Sequence, residues 1–111
     1  MKPQRIQRKR TKGWRMPPNT VYVGRPTEWG NPFTVGGNPS RFSTELPSVC
    51  ETATDTVACY RYYVAQWMMI TRGTWVRGLK GKNLACWCPV YDINGVRQPC
   101  HADVLLEIAN Q

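Results

Sequence analysis

The chain has 111 residues and a formal net charge of +8, with 15 lysines and arginines against 7 acidic residues, and this length suits a single domain. It contains no apolar run long enough to cross a bilayer and no apolar segment of a secretory signal, so we expect neither a membrane protein nor a secreted one. Because its five cysteines are an odd number, we expect reduced thiols and a cytoplasmic location rather than a disulfide framework.

The positive charge is concentrated at the N-terminus. The basic residues that precede the first acid, Glu28, account for the whole excess, and the rest of the chain is balanced. We expect residues 1–18 to form a basic arm without regular structure unless bound, followed by one domain over residues 19–111. Such an arm predicts contact with nucleic acid or nucleotide phosphates, and the alternative is a solvated tail that keeps the protein soluble. The candidate nucleic-acid contacts are Arg5, Arg8, Lys9, Arg10, Lys12, Trp14 and Arg15.

The first element of the predicted domain is a strand over residues 20–24. This run is β-branched and aromatic and ends at a glycine. Residues 25–33 have the composition of a loop, in which Pro32 disfavours helix at the residue before it. Residues 33–35 predict a second short strand. Glycine, proline, serine and asparagine dominate residues 36–47, which indicates an irregular connection.

The clearest predicted element is a helix over residues 52–71. Its apolar side chains recur at steps of three and four and form one stripe. Thr52 or Thr54 is the expected N-cap, and Gly73 follows the predicted end. We interpret the stripe as a core face. Its members are Val57, Tyr60, Val64, Trp67 and Met68.

The second half predicts another strand and helix. Residues 84–88 are largely apolar and predict a strand buried on both faces. Residues 89–99 form a loop with a tight-turn signal at Asn94-Gly95, and residues 101–109 have the apolar pattern of a helix. The sequence therefore predicts a small single-domain layered α/β fold, with a partly parallel or mixed sheet and two main helices.

Three cysteines, the only histidine and an acid lie close together near the C-terminus. Alternation along the predicted strand places Cys86 and Cys88 on one face, about 7 Å apart. Cys100 and His101 begin the following helix. Ligands of open α/β sheets collect beyond the carboxyl ends of the strands, where helix N-termini also lie. We therefore expect Cys88 and Cys100 to meet in one crevice.

Three interpretations of this cluster stay open. In the first, Cys86, Cys88, Cys100 and His101 bind zinc as a three-thiolate, one-imidazole set. In the second, Cys88 or Cys100 is a nucleophile, His101 is its acid or base, and Asp103 orients the histidine or supplies a second carboxylate. In the third, Cys86 is a small buried apolar side chain, and His101 and Asp103 occupy the first helical turn for capping alone.

The loop over residues 25–33 is the second candidate site. Arg25 and backbone N–H groups would grip a phosphate or a base edge, and Trp29 would offer a stacking surface. Gly30 and Asn31 tolerate the backbone conformations that such a grip requires, and Glu28 adds a carboxylate. The alternative is a packed turn whose aromatic side chains fill the core.

Segments of nearly the whole chain resemble a small family of bacterial and bacteriophage proteins that is known only as a domain of unknown function. The most specific are Trp-Gly-Asn-Pro-Phe, ending at Phe33, and Cys-Trp-Cys-Pro, which begins at Cys86 and is followed by Cys-His-Ala-Asp from Cys100. Relative to the family pattern, residues 91–98 look like an insertion. The resemblance implies the cytoplasm of a bacterial host cell and supplies no activity.

We arrive at one leading hypothesis and two alternatives. The leading hypothesis is a nucleotide- or nucleic-acid-directed enzyme with a Cys/His/Asp pocket. The first alternative is a non-enzymatic nucleic-acid-binding protein whose fold is stapled by a zinc site of three cysteines and one histidine. The second is a phage protein that inhibits a host factor through its basic arm. Zinc is the only cofactor that the residues suggest, and no membrane partner is expected.

Overall fold

Three short parallel strands form the sheet that carries the candidate site. The computed structural model describes residues 2–111. Strands β1 (Arg5–Gln7) and β2 (Thr20–Tyr22) both pair in parallel with β3 (Asn83–Cys86), which is the central strand. Because all three strands run in one direction, their carboxyl ends lie at the same edge of the sheet.

Backbone hydrogen bonds hold the chain close to that edge after each outer strand ends. The N–H of Arg8 donates to the carbonyl of Cys86 at 2.7 Å, and the N–H of Val23 donates to the carbonyl of Ala85 at 2.9 Å. The segments that follow β1 and β2 therefore leave the sheet on either side of the end of β3. This arrangement brings the arm and the loop over residues 25–33 to the same edge.

The prediction that residues 1–18 hold no regular structure is wrong for β1. The N–H of Gln4 donates to Oδ1 of Asn83 at 2.8 Å, and the N–H of Leu84 donates to the carbonyl of Gln4 at 3.0 Å. β1 exists because β3 offers it a free edge nearly 80 residues further along the chain. A three-residue strand of this kind has no local pattern from which it could be predicted.

Helix α1 (Ala53–Thr71) confirms the predicted long helix. Thr52 is its N-cap, and a capping box joins it to Asp55: the N–H of Asp55 donates to Oγ1 of Thr52, and the N–H of Thr52 donates to Oδ2 of Asp55. The helix ends at Arg72 and Gly73, which both have positive φ, and the N–H of Gly73 donates back to the carbonyl of Met68 at 3.0 Å. Its buried residues are Thr56, Cys59, Tyr60 and Val64.

Helix α2 (His101–Ala109) has the predicted bounds and packs against the sheet, α1 and the 3₁₀ helix Thr74–Leu79. Its buried face is continuous with the core of the molecule. The predicted α/β fold with two main helices is therefore confirmed, and the sheet is wholly parallel. Within residues 2–111, neither of these helices nor any other combines the length and apolar content that a bilayer crossing requires.

One predicted strand is absent, and two others end two residues early; the first of these is β2, which ends at Tyr22. Residues 33–35 form no strand, because their backbone groups take part in turns: the N–H of Phe33 donates to Oδ1 of Asn31, and the carbonyl of Thr34 accepts from the N–H of Gly37. β3 ends at Cys86, two residues before its predicted end. The chain turns at that point, which changes where the next cysteine lies.

Candidate functional site

The cysteines of the two C-terminal segments converge at the carboxyl end of β3. Cys86 is the last residue of β3, Cys88 lies in the turn that follows, and Cys100 is the N-cap residue of α2. Their three Sγ atoms all lie within 4.8 Å of one another, and those of Cys86 and Cys100 are 3.0 Å apart. The expected spacing of about 7 Å along a strand does not apply to Cys86 and Cys88, because the strand ends between them.

The three thiols differ in exposure and in the direction in which their pKa values are shifted. Cys86 and Cys100 are buried, whereas Cys88 is half-buried. Hydrogen bonding from the thiols of Cys100 and Cys86 lowers the pKa of Cys88, against the opposing effect of burial, and the charges of His101 and Arg5 add to the lowering. The contact with Cys86 raises the pKa of Cys100. Cys88 is therefore the group of the three that carries a thiolate most readily.

His101 is a buried imidazole beside the cluster. Burial lowers its pKa. Its Nε2 lies 2.9 Å from the carbonyl oxygen of Val23, and because a carbonyl only accepts, Nε2 carries the proton. Nδ1 lies 3.5 Å from Sγ of Cys100, and burial of the ring favours the state in which this nitrogen is free to accept a proton. The group of ligand atoms that lie within 4.8 Å of one another contains the three cysteines and does not include His101.

Asp103 lies in the first turn of α2, as predicted, and pairs there with two arginines. Its Oδ2 accepts from Nη1 of Arg5 at 2.6 Å, and its Oδ1 accepts from Nη2 of Arg97 at 2.8 Å. Both carboxylate oxygens are therefore engaged with arginines, while the two ring nitrogens of His101 face Val23 and Cys100. The structure does not support the expectation that Asp103 orients His101.

Arg5 is also placed differently from the prediction, since it lies in the interior and not on a surface open to a polyanion. The residue is 5 % exposed. Besides Asp103, its guanidinium bonds the carbonyl oxygens of Pro89 at 2.9 Å and Val90 at 3.2 Å through Nη2. Arg5 thus joins β1 to the turn after β3 and to the first turn of α2.

A cavity of about 380 Å³ lies over the three thiols, within the range of small-molecule sites. The thiols and His101 line it, and so do Arg25, Asn31 and Phe33 of the loop over residues 25–33. The two segments singled out in the sequence therefore share one cavity. The predicted catalytic and ligand-binding roles of these residues stay predictions.

The loop over residues 25–33 is held by its own arginine. Nε of Arg25 donates to the carbonyl of Asn31 at 2.8 Å, and Nη2 donates to the carbonyl of Phe33 at 3.3 Å. A Cβ at Gly30 would lie 3.1 Å from the backbone of Arg25, so the loop closes tightly at that residue. Glu28 is exposed at the surface and does not line the cavity.

Trp29 belongs to the core and not to the cavity, which corrects its predicted stacking role. It packs against the core cluster, and its Nε1 donates to the carbonyl of Trp75 at 3.0 Å. Its own carbonyl accepts from the hydroxyl of Tyr60. For this residue the alternative of a packed turn is correct.

The arm forms a basic and aromatic groove at the same edge of the sheet. The guanidinium of Arg8 lies 4.7 Å from the ring centroid of Tyr22 and 4.9 Å from that of Trp87, and that of Arg10 lies 4.8 Å from Trp87. These distances are typical of cation–π contacts. The groove has a volume of about 470 Å³ and is lined by Arg8, Lys9, Arg10, Trp14, Met16 and Trp87. Lys12 and Arg15 are exposed outside it.

Trp87 is the site residue that the sequence interpretation missed. It was predicted to lie inside a strand buried on both faces, but it follows the end of β3 and is 39 % exposed. The available signal was Pro89, which cannot donate to a ladder and so argues against a central strand continuing to that point. Trp87 lines both the thiol cavity and the basic groove.

The chain belongs to a protein family described as a domain of unknown function (DUF4326), whose model matches residues 6–111. This match confirms the resemblance to such a family. No curated protein and no solved structure matches the chain at a significant level.

Proposed function

We propose that the chain is an enzyme that acts on a nucleotide or a nucleic acid, with a zinc ion held by Cys86, Cys88 and Cys100 in the wall of the 380 Å³ cavity. The observation that carries the proposal is that the three-thiol cluster opens onto a cavity. Structural zinc sites are closed by four protein ligands, whereas catalytic sites use three and keep one position free. Three thiols at a cavity wall match the second arrangement.

The donor set fits a zinc ion. Zn–S bonds of about 2.3 Å in a tetrahedral arrangement place the sulfurs about 3.8 Å apart. The three Sγ atoms, within 4.8 Å of one another, already approach this spacing. The Cys86–Cys100 pair, at 3.0 Å, would open by about 0.8 Å on binding.

The surroundings compensate the negative charge that such a site would carry. Three thiolates and one Zn²⁺ leave a net charge of about −1. The N–H of Ala102, in the first turn of α2, faces Cys100 and favours its thiolate, as does the positive end of the helix dipole. The cation of Arg5 acts in the same direction on Cys88.

The residues around the cluster would have separate roles in binding and proton transfer. Zinc at an open site supplies Lewis acidity and lowers the pKa of a water that it binds. His101 would accept or return a proton at Nδ1, which lies beside Cys100. Arg25, which also lines the cavity, would attract a phosphate, and Asn31 would hydrogen-bond a base or a sugar.

The proposal is tested by isothermal titration of the zinc-loaded chain with the common nucleoside monophosphates. We expect at least one to bind, and Arg25→Gln to weaken that binding about tenfold, because one phosphate contact by arginine is charge-assisted. Arg41→Gln, at an exposed arginine outside the cavity, is the matched control. Failure of every mononucleotide and of oligonucleotides to bind would contradict the proposal.

A specific observation favours a second candidate, the closed zinc staple of a non-enzymatic protein. A zinc-bound histidine usually donates its other ring N–H to a backbone carbonyl or a carboxylate, and His101 has this arrangement with Val23. Its Nδ1 is also close to Cys100. His101→Gln separates the candidates: an open three-thiol site keeps one zinc per chain, whereas a staple of three cysteines and one histidine loses metal and melts early.

A further inference from the structure

We propose that the substrate is a nucleotide within a single-stranded nucleic acid, and that the groove of Arg8, Arg10 and Trp87 holds the neighbouring part of the strand while one nucleotide occupies the thiol cavity. This inference rests on the proposed function and adds the substrate class. It predicts that a polynucleotide, and not a free nucleotide, is the preferred ligand.

The first argument is that the two cavities are adjacent. Trp87 lines both of them, and its neighbours Cys86 and Cys88 carry two of the three thiols. Tyr22, which lines the thiol cavity, is also the ring against which Arg8 lies. A ligand that leaves the thiol cavity past Trp87 therefore enters the basic groove without crossing another element.

The second argument is that the fold fixes the start of the groove. The N–H of Arg8 donates to the carbonyl of Cys86 at 2.7 Å, so the chain after β1 is anchored at the end of β3. A turn, in which the N–H of Trp14 donates to the carbonyl of Thr11 at 3.0 Å, then brings this indole to the groove. The basic side chains are thus arranged by the sheet and do not belong to a tail that trails free of it.

The third argument concerns charge. Within residues 2–111 the ion pairs are Arg5–Asp103, Arg61–Glu107 and Arg97–Asp103. Arg8, Lys9 and Arg10 take part in none of these, so the groove presents three cations without an acidic partner in the described chain. Aromatic rings and guanidinium planes beside unpaired cations are the features with which proteins bind single strands, since they contact stacked bases and phosphates together.

The geometry favours a single strand over a duplex. In a duplex the bases are stacked and paired, so neither Trp87 nor the thiol cavity could reach a base without unpairing it. A single strand offers both its bases and its phosphates. The groove, at about 470 Å³, and the thiol cavity, at about 380 Å³, are each of a size that suits a small molecule such as one nucleotide.

The experiment is a titration of the zinc-loaded full chain with fluorescently labelled oligothymidylates, from the mononucleotide to roughly ten nucleotides, and with a duplex of the same length. We expect affinity to rise at least tenfold from the mononucleotide to a short strand and then to level off, with the duplex binding more weakly. Arg8→Gln with Arg10→Gln should reduce the slope of log K against log salt by about 1.4, because each phosphate contact of a single strand contributes about 0.7. Arg72→Gln with Arg77→Gln, two exposed arginines outside the groove, is the matched control.

Trp87→Ala supplies a second readout, since the loss of a stacking platform should weaken strand binding by roughly tenfold while mononucleotide binding changes less. Equal affinity for mononucleotide and strand would overturn the inference and leave the proposed function intact. Tighter binding of the duplex, or strand binding that is unchanged in the Arg8 and Arg10 double variant, would also overturn it. If no thymidylate of any length binds and the other common nucleoside monophosphates also fail, the proposed function fails as well, so the two failures are distinguishable.

Discussion

Arg5 and Asp103 are joined by a 2.6 Å ion pair although 98 positions separate them in the sequence. The arginine side chain is fully buried, and the aspartate side chain is 34 % exposed. The pair connects the first strand to the first turn of α2, which is where Cys100 and His101 are held. It therefore couples the N-terminal segment to the geometry of the three-thiol cluster.

We predict that Asp103→Ala destabilises the fold by about 2 kcal/mol or more, because it leaves the buried Arg5 cation without its anion. This cost is lower than that of breaking a fully buried ion pair, because the Asp103 side chain is partly solvated. Arg97→Gln removes only the solvent-exposed partner of the same carboxylate, and it should lower the free energy of unfolding by about 1 kcal/mol or less. Urea denaturation of both variants measures the difference in the free energy of unfolding. Equal losses in the two variants would show that the burial of Arg5 does not increase the cost of removing its anion.

Tyr60→Phe should destabilise the chain by about 1–2 kcal/mol, because the carbonyl of Trp29 loses the hydroxyl donor that the buried Tyr60 supplies. Tyr62→Phe is the control. Its hydroxyl lies near Oγ of Ser43 at a less buried position, and we expect less than about 0.5 kcal/mol there. Denaturation midpoints compare the two, and a silent Tyr60→Phe would mean that this residue does not anchor the loop over residues 25–33.

The thiols should react with iodoacetamide in a defined order when a chelator is present. Cys88 has a lowered pKa and partial exposure, so its alkylation rate should change little between about pH 6 and 8. Burial raises the pKa of Cys59 to about 11, and this thiol should stay unmodified in the folded chain. Peptide mapping by mass spectrometry identifies the modified residue.

Added Zn²⁺ should slow the alkylation of Cys88, because a metal-bound sulfur is a weaker nucleophile than a free thiolate. A rate at Cys88 that falls about tenfold for each pH unit below 8, as for an ordinary thiol, would contradict the charge distribution described above.

Local signals predicted the parts of the fold that depend on neighbouring residues. The start of α1 is set by the capping box at Thr52, and its end is set by the glycine at residue 73, so both depend only on nearby residues. α2 was predicted from its apolar stripe. β1 was missed because its pairing with β3 and the burial of Arg5 are long-range events.

The candidate site was predicted in outline only. The convergence of the two cysteine segments followed from the edge rule for parallel strands. The role of Asp103 did not, because its arginine partners lie in β1 and in the loop over residues 89–99. The contact between Cys50 and Cys59, whose Sγ atoms lie 3.8 Å apart, also depends on how a loop returns to α1 and has no sequence signature.

The most direct test of the zinc proposal is native mass spectrometry of freshly purified chain, compared with the variants Cys88→Ser and Cys59→Ser. We predict one zinc ion per chain in the native protein, the same in Cys59→Ser, and its loss or strong depletion in Cys88→Ser. A metal-free native chain that also fails to take up added Zn²⁺ would contradict the account, as would a Cys88→Ser variant that holds the metal as tightly as the native protein.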